Sequence, residues 1–306
     1  MIVDIGHIAL QVPDVDEAVE LSTELLGMHE VERVDGTAYL TLGSPYPSVG
    51  SACTHHVLQL IEGPAAAFDH VGLLVRGAEG LAGVRKQAEA AGATVVSASP
   101  DEPGLDAAVR LAAPTGHVVE LYPAMQEVDC PYTPRGLRPH RLGHATFTST
   151  DVPGCMGFLV DGLGFRMSDW IVTPEGPMVG FARCHFDHHT LGALGGPAEG
   201  IHHLAFEVPT AVEVGRLGDI LMRAGRSYAW GPVRHGAGDN IAGYFEGPGG
   251  IMVELYSDMH KIFGDSWQAR AWEIQDPRAL NYWTPPVGFE ALLAAHAPLA
   301  TAVPVA

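Results

Sequence analysis

The chain has 306 residues, 47% of them hydrophobic, which is enough for one large domain or two ordinary ones. Its 17 basic and 36 acidic residues give a net charge of −19, so the basic face that nucleic-acid binding needs is missing. No apolar run approaches the roughly 20 residues of a membrane-spanning helix, and the N-terminus lacks the pattern of a secretory leader.

The cysteines are far apart in the sequence and form no CxxC pair; they are Cys53, Cys130, Cys155 and Cys184. This spacing argues against a zinc knuckle or a disulfide framework. A reducing cytoplasm is therefore the expected location.

One strand pattern that begins with a histidine occurs four times along the chain. The four copies begin at His7, His70, His144 and His203. A helical pattern follows each copy, with polar or acidic residues near its start and glycine near its end. These patterns cover about 14–28, 78–91, 153–163 and 210–224. Such a fixed period indicates an internal repeat.

Short alternating runs follow each helical pattern and are typical of strands; examples are 38–42, 57–61, 179–183 and 242–246. The repeated unit is therefore βαβββ. The sequence predicts an α+β fold in which four units pair into two barrel-like halves, 1–130 and 140–260. A proline-rich connector joins the halves, and the aromatic and proline-rich tail 261–306 is expected to pack on the body, with fraying over 291–306.

Strand alternation places two histidines and one carboxylate on the same concave face of the C-terminal half. His144, His203 and Glu254 all lie opposite the residues that would pack beneath the helices. A lone strand histidine is more often structural, but these three recur at equivalent positions of successive repeats. Two histidines and a carboxylate with open positions suit Fe(II) that binds substrate and oxygen together.

The chain resembles the type I extradiol ring-cleavage dioxygenases of the vicinal oxygen chelate superfamily over about 1–285. On this resemblance the family's metal ligands fall on His144, His203 and Glu254. The resemblance implies a vicinal oxygen chelate fold and an Fe(II) cofactor, or less often Mn(II). It also implies O2 as co-substrate, a catechol that is cleaved beside its two hydroxyls, and a homo-oligomer.

The same resemblance places the family's helper residues at His189, His235 and Tyr244. His189 would move protons, because an imidazole near neutral pKa suits that task. His235 and Tyr244 would hydrogen-bond a substrate oxygen; the alternative for all three is a structural polar residue. The adjacent His188 and His202 are predicted to face the opposite way.

The N-terminal half carries a second copy of the triad at His7, His70 and Glu120. His56 stands 14 residues before His70, just as His189 stands 14 residues before His203. The other helper positions hold Asp101 and Arg110 instead of histidine and tyrosine. A guanidinium beside Glu120 would pair with the carboxylate and compete with a cation, so this half is predicted to be non-catalytic and metal-free.

A non-redox use of the same scaffold is the alternative: a glyoxalase-like isomerase, or a metal-free protein that sequesters a small molecule. The helper residues favour the dioxygenase. The sequence leaves open the choice of monocyclic or bicyclic catechol, of iron or manganese, and of proximal or distal cleavage.

Overall fold

The histidine strands of the sequence form the centres of two mixed β-sheets. We describe them from a computed structural model that covers residues 1–42, 52–99, 102–129, 132, 135–264, 266–283 and 293–300. The first half contains β1 (Ile2–Val12), α1 (Val15–Leu26), β2 (Met28–Val34), β3 (Thr37–Leu42), β4 (Ala52–Thr54), β5 (Leu58–Glu62), β6 (Ala67–Val75), α2 (Gly77–Ala90), β7 (Thr94–Ser97), β8 (Val109–Ala112), β9 (Val118–Tyr122) and β10 (Glu127–Asp129).

The second half repeats this order of elements. It contains β11 (Arg141–Ser149), α3 (Val152–Gly157), β12 (Arg166–Thr173), β13 (Gly176–Arg183), β14 (Leu191–Gly195), β15 (Gly200–Glu207), α4 (Ala211–Arg223), β16 (Trp230–Arg234), β17 (Ile241–Glu246) and β18 (Met252–Ser257). Two tail strands follow, β19 (Arg270–Glu273) and β20 (Ala297–Pro298). A π-helical turn, Phe158–Gly162, continues α3.

The sheet order confirms the predicted βαβββ repeat. The first sheet runs β2-β3-β5-β1-β6-β9-β8-β7, and the second runs β16-β17-β18-β15-β11-β14-β13-β12-β19. In every unit the first strand pairs in parallel with the last, and the first strands of two units pair antiparallel at the centre of the sheet. The α+β fold of paired units is therefore as predicted.

One apolar core runs through both halves of the molecule. Its members come from the helix-facing side of each sheet, as strand alternation predicts. Phe68 and Phe147 meet there with ring centroids 5.5 Å apart. His117 crosses between the halves, with its Nε2 3.1 Å from the carbonyl oxygen of Thr148 and 3.0 Å from that of Gly200. The two halves are thus packed together rather than merely linked.

Two smaller findings concern the cysteines and the helices. Cys53 is disulfide-bonded, which the spacing of the cysteines did not predict. Cys155 and Cys184 carry free thiols. Within the residues that the structure describes, each helix is too short or too polar to cross a membrane.

The tail after β18 returns to the second sheet. β19 pairs in parallel with β12, and β20 pairs with the start of β15. Asp169, on β12, accepts hydrogen bonds from the backbone N–H of Arg270 (2.9 Å) and from the Trp272 indole (2.8 Å). Trp283 is 53% exposed, and much of 291–306 lies outside the described residues. The contacts of Asp169 fix the tail beside the second sheet.

Asp169→Ala is expected to lower the free energy of unfolding by about 2–4 kcal/mol. Asp169 is buried, and its removal leaves two partly buried donors unpaired, at about 1–2 kcal/mol each, the lower part of the range for buried groups. Urea unfolding would measure the change, with the exposed Asp106→Ala as the control. A loss below about 0.5 kcal/mol, as is usual for a surface change, would show that this carboxylate does not anchor the tail.

Candidate active site

Three adjacent strands bring the predicted triad together. In the sheet register, His144 on β11 lies opposite Ala205 on β15, and Ala205 lies opposite Glu254 on β18. His203 lies two residues from Ala205 and therefore on the same face. The small Ala205 side chain leaves space above it, into which the neighbouring imidazoles and the carboxylate extend.

The triad atoms converge on one point. The Nε2 atoms of His144 and His203 both lie 3.2 Å from Oε2 of Glu254, and they lie 3.4 Å from each other. All three side chains are buried. Burial alone would raise the pKa of Glu254, but His144 and His203 hold that pKa well below its usual value. An ionised carboxylate and two imidazoles in this arrangement form a set of ligands for a divalent metal.

A β-bulge at Gly143 directs His144 toward this point. The register moves from Leu142 opposite Phe206 to His144 opposite Ala205, which leaves Gly143 as the extra residue. A Cβ atom at Gly143 would collide with the hydroxyl of Tyr256, so only glycine fits. The first half repeats this device at Gly6, where a Cβ atom would collide with the hydroxyl of Tyr122.

His202 does not face away from the site, and the prediction that it does is wrong. A second bulge lies between the pairs Phe147–Ile201 and Thr146–His203, and it leaves His202 as the extra residue. Strand alternation fails at a bulge, so His202 lines the same cavity as His203. Their Nδ1 atoms lie 2.6 Å apart, which holds the His203 ring from the side opposite Glu254.

His189 packs against the triad from the loop that precedes β14. Its ring centroid lies 4.4 Å from that of His144. Burial lowers the pKa of His189 well below its usual value, and His144 lowers it further. His188 lies in the same loop rather than on a strand, and its Nδ1 is 3.0 Å from Nδ1 of His189. His188 does not line the cavity, as predicted; its Nε2 lies 3.2 Å from Oδ2 of Asp169, and its Nδ1 side supports His189.

His235 and Tyr244 form a connected pair beside the triad. Nδ1 of His235 donates to the carbonyl oxygen of Leu280 (2.8 Å), so its Nε2 can accept from the Tyr244 hydroxyl (2.9 Å). Tyr244 lies directly opposite Glu254 in the register of β17 and β18. Burial raises the pKa of Tyr244 well above its usual value, so the hydroxyl stays protonated as a donor.

The side-chain amide of Asn240 is a part of the site that the sequence reasoning missed. Its Nδ2 donates to Oε1 of Glu254 (2.9 Å), which leaves Oε2 directed at the two imidazoles. Asn240 is buried in the turn between β16 and β17, next to Asp239 with its left-handed backbone. Its position in a turn between two predicted site residues, His235 and Tyr244, was the available signal.

Comparisons with known proteins identify the family. Residues 4–121 and 141–255 match the Glyoxalase/Bleomycin resistance protein/Dioxygenase superfamily. The chain is 26% identical over 300 residues to the manganese-dependent 2,3-dihydroxybiphenyl 1,2-dioxygenase of Geobacillus genomosp. 3, covering 92% of this chain and 93% of that protein. It is 30% identical over 231 residues to metapyrocatechase 2 of Cupriavidus necator, covering 67% and 69% respectively. The chain belongs to the extradiol dioxygenases of this superfamily.

A solved structure shows the same fold. The anaerobic substrate complex of homoprotocatechuate 2,3-dioxygenase from Brevibacterium fuscum superposes with a TM-score of 0.85 at 22% identity. The match covers 96% of this chain and 92% of that one. The fold predicted from the histidine repeats is thereby confirmed.

In this extradiol dioxygenase the triad opens into a cavity between the strands of the second sheet and the tail. His189, His202, His235 and Tyr244 line it near the triad. Its apolar lining includes Ile171, Met178, Val179, Phe181, Leu194 and Leu280. A flat aromatic ring could enter this space with its polar edge toward the triad.

The first half of the dioxygenase holds a second buried polar cluster. Arg110 Nε donates to Oε1 of Glu120 (2.9 Å), so the ion pair predicted from the sequence is confirmed. Glu102, which the sequence reasoning did not consider, also bonds Arg110. The adjacent Asp101, which stands at the position equivalent to His235, lies outside the described residues.

Proposed function

We propose that this dioxygenase binds one Fe(II) or Mn(II) ion between His144, His203 and Glu254 and cleaves a catechol beside its two hydroxyls. The product would be a ring-opened semialdehyde or oxo acid that contains both atoms of O2. The convergence of three buried ligand atoms, each 3.2–3.4 Å from the others, supports the proposal most directly. When bound, the metal supplies one coordination sphere that holds catechol and O2 together.

The arrangement of the ligands fits such an ion. Both imidazoles present Nε2 to the same point as the carboxylate, and Asn240 fixes the outer oxygen of Glu254. Outer hydrogen bonds of this kind orient metal ligands and raise their affinity. The three residues come from one face of the sheet, so the side toward the cavity stays open for substrate and oxygen.

His189 is the proposed acid and base of the reaction. Its imidazole is neutral because burial lowers its pKa, and a neutral ring can accept the proton that a catechol hydroxyl must lose. The ring contacts His144, and it therefore lies beside the coordination sphere rather than inside it. The protonated ring of His189 can later return this proton when the O–O bond breaks.

His235 and Tyr244 are proposed to hold the substrate oxygen on the other side of the triad. The His235 tautomer is fixed by Leu280 O, and Tyr244 keeps its proton. When substrate is bound, the Tyr244 hydroxyl would turn its proton from Nε2 of His235 to the substrate oxygen and stabilise the charge that develops there. These positioned proton donors and acceptors support ring cleavage over isomerisation or simple sequestration.

The cavity wall favours catechols with an uncharged substituent. Among its described lining residues there is no lysine or arginine. A substrate carboxylate would therefore be buried without a cationic partner, which is unfavourable. Monocyclic and bicyclic catechols both remain compatible with this wall. The family resemblance further predicts a homo-oligomer, and the spacing of the cysteines predicts a cytoplasmic location.

A substrate comparison tests this proposal. Aerobic protein with Fe(II) or Mn(II) is expected to turn 3-methylcatechol into a yellow product. We expect kcat/KM to exceed that for 3,4-dihydroxyphenylacetate by at least about tenfold, which corresponds to about 1.4 kcal/mol. Metal-stripped protein is the control and should give no colour. Faster turnover of the carboxylated catechol would contradict the account of the wall, and no turnover of any catechol would contradict the function.

A further inference from the structure

The N-terminal half brings four buried ligand side chains together: His7, His70, Glu102 and Glu120, called here the N-terminal cluster. Nε2 of His7 lies 3.2 Å from Nε2 of His70 and 3.4 Å from Oε2 of Glu120. Glu102 places its Oε2 3.8 Å from His7 Nε2 and its Oε1 3.5 Å from His70 Nε2. These spacings are close to those of the catalytic triad.

The register of the first sheet repeats that of the second. His7 on β1 lies opposite Gly72 on β6, and Gly72 lies opposite Glu120 on β9. Gly72 thus stands where Ala205 stands, and a Cβ atom there would collide with the His7 ring. The small residue leaves the space into which the ligand atoms extend.

Arg110 holds the two carboxylates from outside instead of occupying the space between them. It donates to Oε1 of Glu120 and to Oε1 of Glu102. The Oε2 atoms of both carboxylates are buried; that of Glu102 lies 3.2 Å from Nε2 of His56, and that of Glu120 has no hydrogen-bond partner among the described residues. In the catalytic site Asn240 bonds the outer oxygen of Glu254 in the same way. Arg110 therefore leaves the space between the two carboxylates open.

The second imidazole is oriented by a bulge residue, as it is in the catalytic site. Asp69 is the extra residue between the pairs Ala9–His70 and Leu10–Phe68. Its Oδ1 lies 2.7 Å from Nδ1 of His70, which is the place that His202 takes beside His203. A carboxylate on Nδ1 fixes the tautomer that offers Nε2 to a metal.

The two buried carboxylates of the cluster, Glu102 and Glu120, share one guanidinium, that of Arg110. Asp69 and Glu102 overcome the effect of burial and raise the pKa of His70 to about 9, so a proton on His70 supplies part of the countercharge. His56, with Nε2 3.2 Å from Oε2 of Glu102, is a further polar neighbour. A divalent cation placed among these atoms would take over the countercharge that the proton on His70 supplies.

We propose that the N-terminal cluster is a second divalent-cation site, with His7, His70, Glu102 and Glu120 as its ligands. Two imidazoles and two carboxylates suit Mn(II), Fe(II) or Zn(II). Four protein ligands in a closed, buried site are typical of a structural ion rather than of a catalytic one. This half remains non-catalytic, but the expectation that it is metal-free is reversed.

Metal counting on protein produced in Mn(II)-supplemented medium tests the proposal. Elemental analysis is expected to give two ions per chain in the wild type and one in Glu254→Ala, which leaves the N-terminal cluster intact. The isosteric Glu120→Gln should also give one ion, while it keeps ring cleavage. Each variant thus removes a different ion.

One ion in the wild type together with none in Glu254→Ala would overturn the second site and leave the catalytic site intact. The converse outcome is loss of both ions and of all ring cleavage in Glu120→Gln. That result would also refute the N-terminal cluster as an independent structural site. If Glu120→Gln fails to fold, the wild type and Glu254→Ala still decide the question, since neither changes the cluster.

Discussion

Glu254→Ala is expected to lose one ion per chain and to abolish ring cleavage. The carboxylate is the only acidic member of the triad, and its Oε2 lies 3.2 Å from both imidazoles. Two neutral imidazoles alone hold a divalent ion poorly. Loss of an outer partner of a metal ligand already costs about 10–100-fold in affinity or activity, and loss of the ligand itself should cost more.

Elemental analysis and catechol turnover would measure both effects of Glu254→Ala. Glu246→Ala is the matched control, because it removes an exposed carboxylate from the neighbouring β17. That variant should keep its metal and its activity. Full metal occupancy in Glu254→Ala would show that Glu254 is not a ligand.

His189→Ala is expected to keep the catalytic ion and to lower kcat by about 10²–10⁴-fold, the usual contribution of a positioned acid or base. The ring packs against His144 without belonging to the converging ligand atoms. Its removal should therefore leave metal and catechol binding in place. Only the transfer of the proton would slow.

Turnover under saturating catechol, together with metal analysis, separates these effects. His140→Ala is the control, since it removes a half-exposed imidazole far from the triad in the sheet. Loss of the ion in His189→Ala would make that residue a ligand or a support of the site. An unchanged kcat in His189→Ala would show that His189 is not the acid and base of the reaction.

Much of the fold could be predicted because each repeat has a local sequence pattern of strand alternation and helix caps. The alternation of Leu204, Phe206 and Val208 marks one strand face, and the structure places all three in the shared core. Asp14 caps α1 through the backbone N–H of Glu17, and Gly27 ends it with φ 65°. These are local signals that depend on a few neighbouring residues.

The places where sequence reasoning failed depend on distant pairing. His202 reaches the cavity because β15 carries a bulge against β11, and period-two alternation contains no signal for a bulge. Asn240 and Glu102 lie in turns, and the site residues that they contact are 14 residues and 32 residues away along the chain, at Glu254 and His70. Such contacts are set by the folded sheet rather than by neighbouring residues.

The most direct test of the catalytic site is an anomalous-difference map from crystals of Mn(II)-loaded protein soaked anaerobically with catechol. The account predicts a peak bounded by Nε2 of His144, Nε2 of His203 and Oε2 of Glu254, with both catechol oxygens on its open side, next to His189 and Tyr244. Density for catechol elsewhere, or an absence of the peak at these three atoms in active protein, would contradict it.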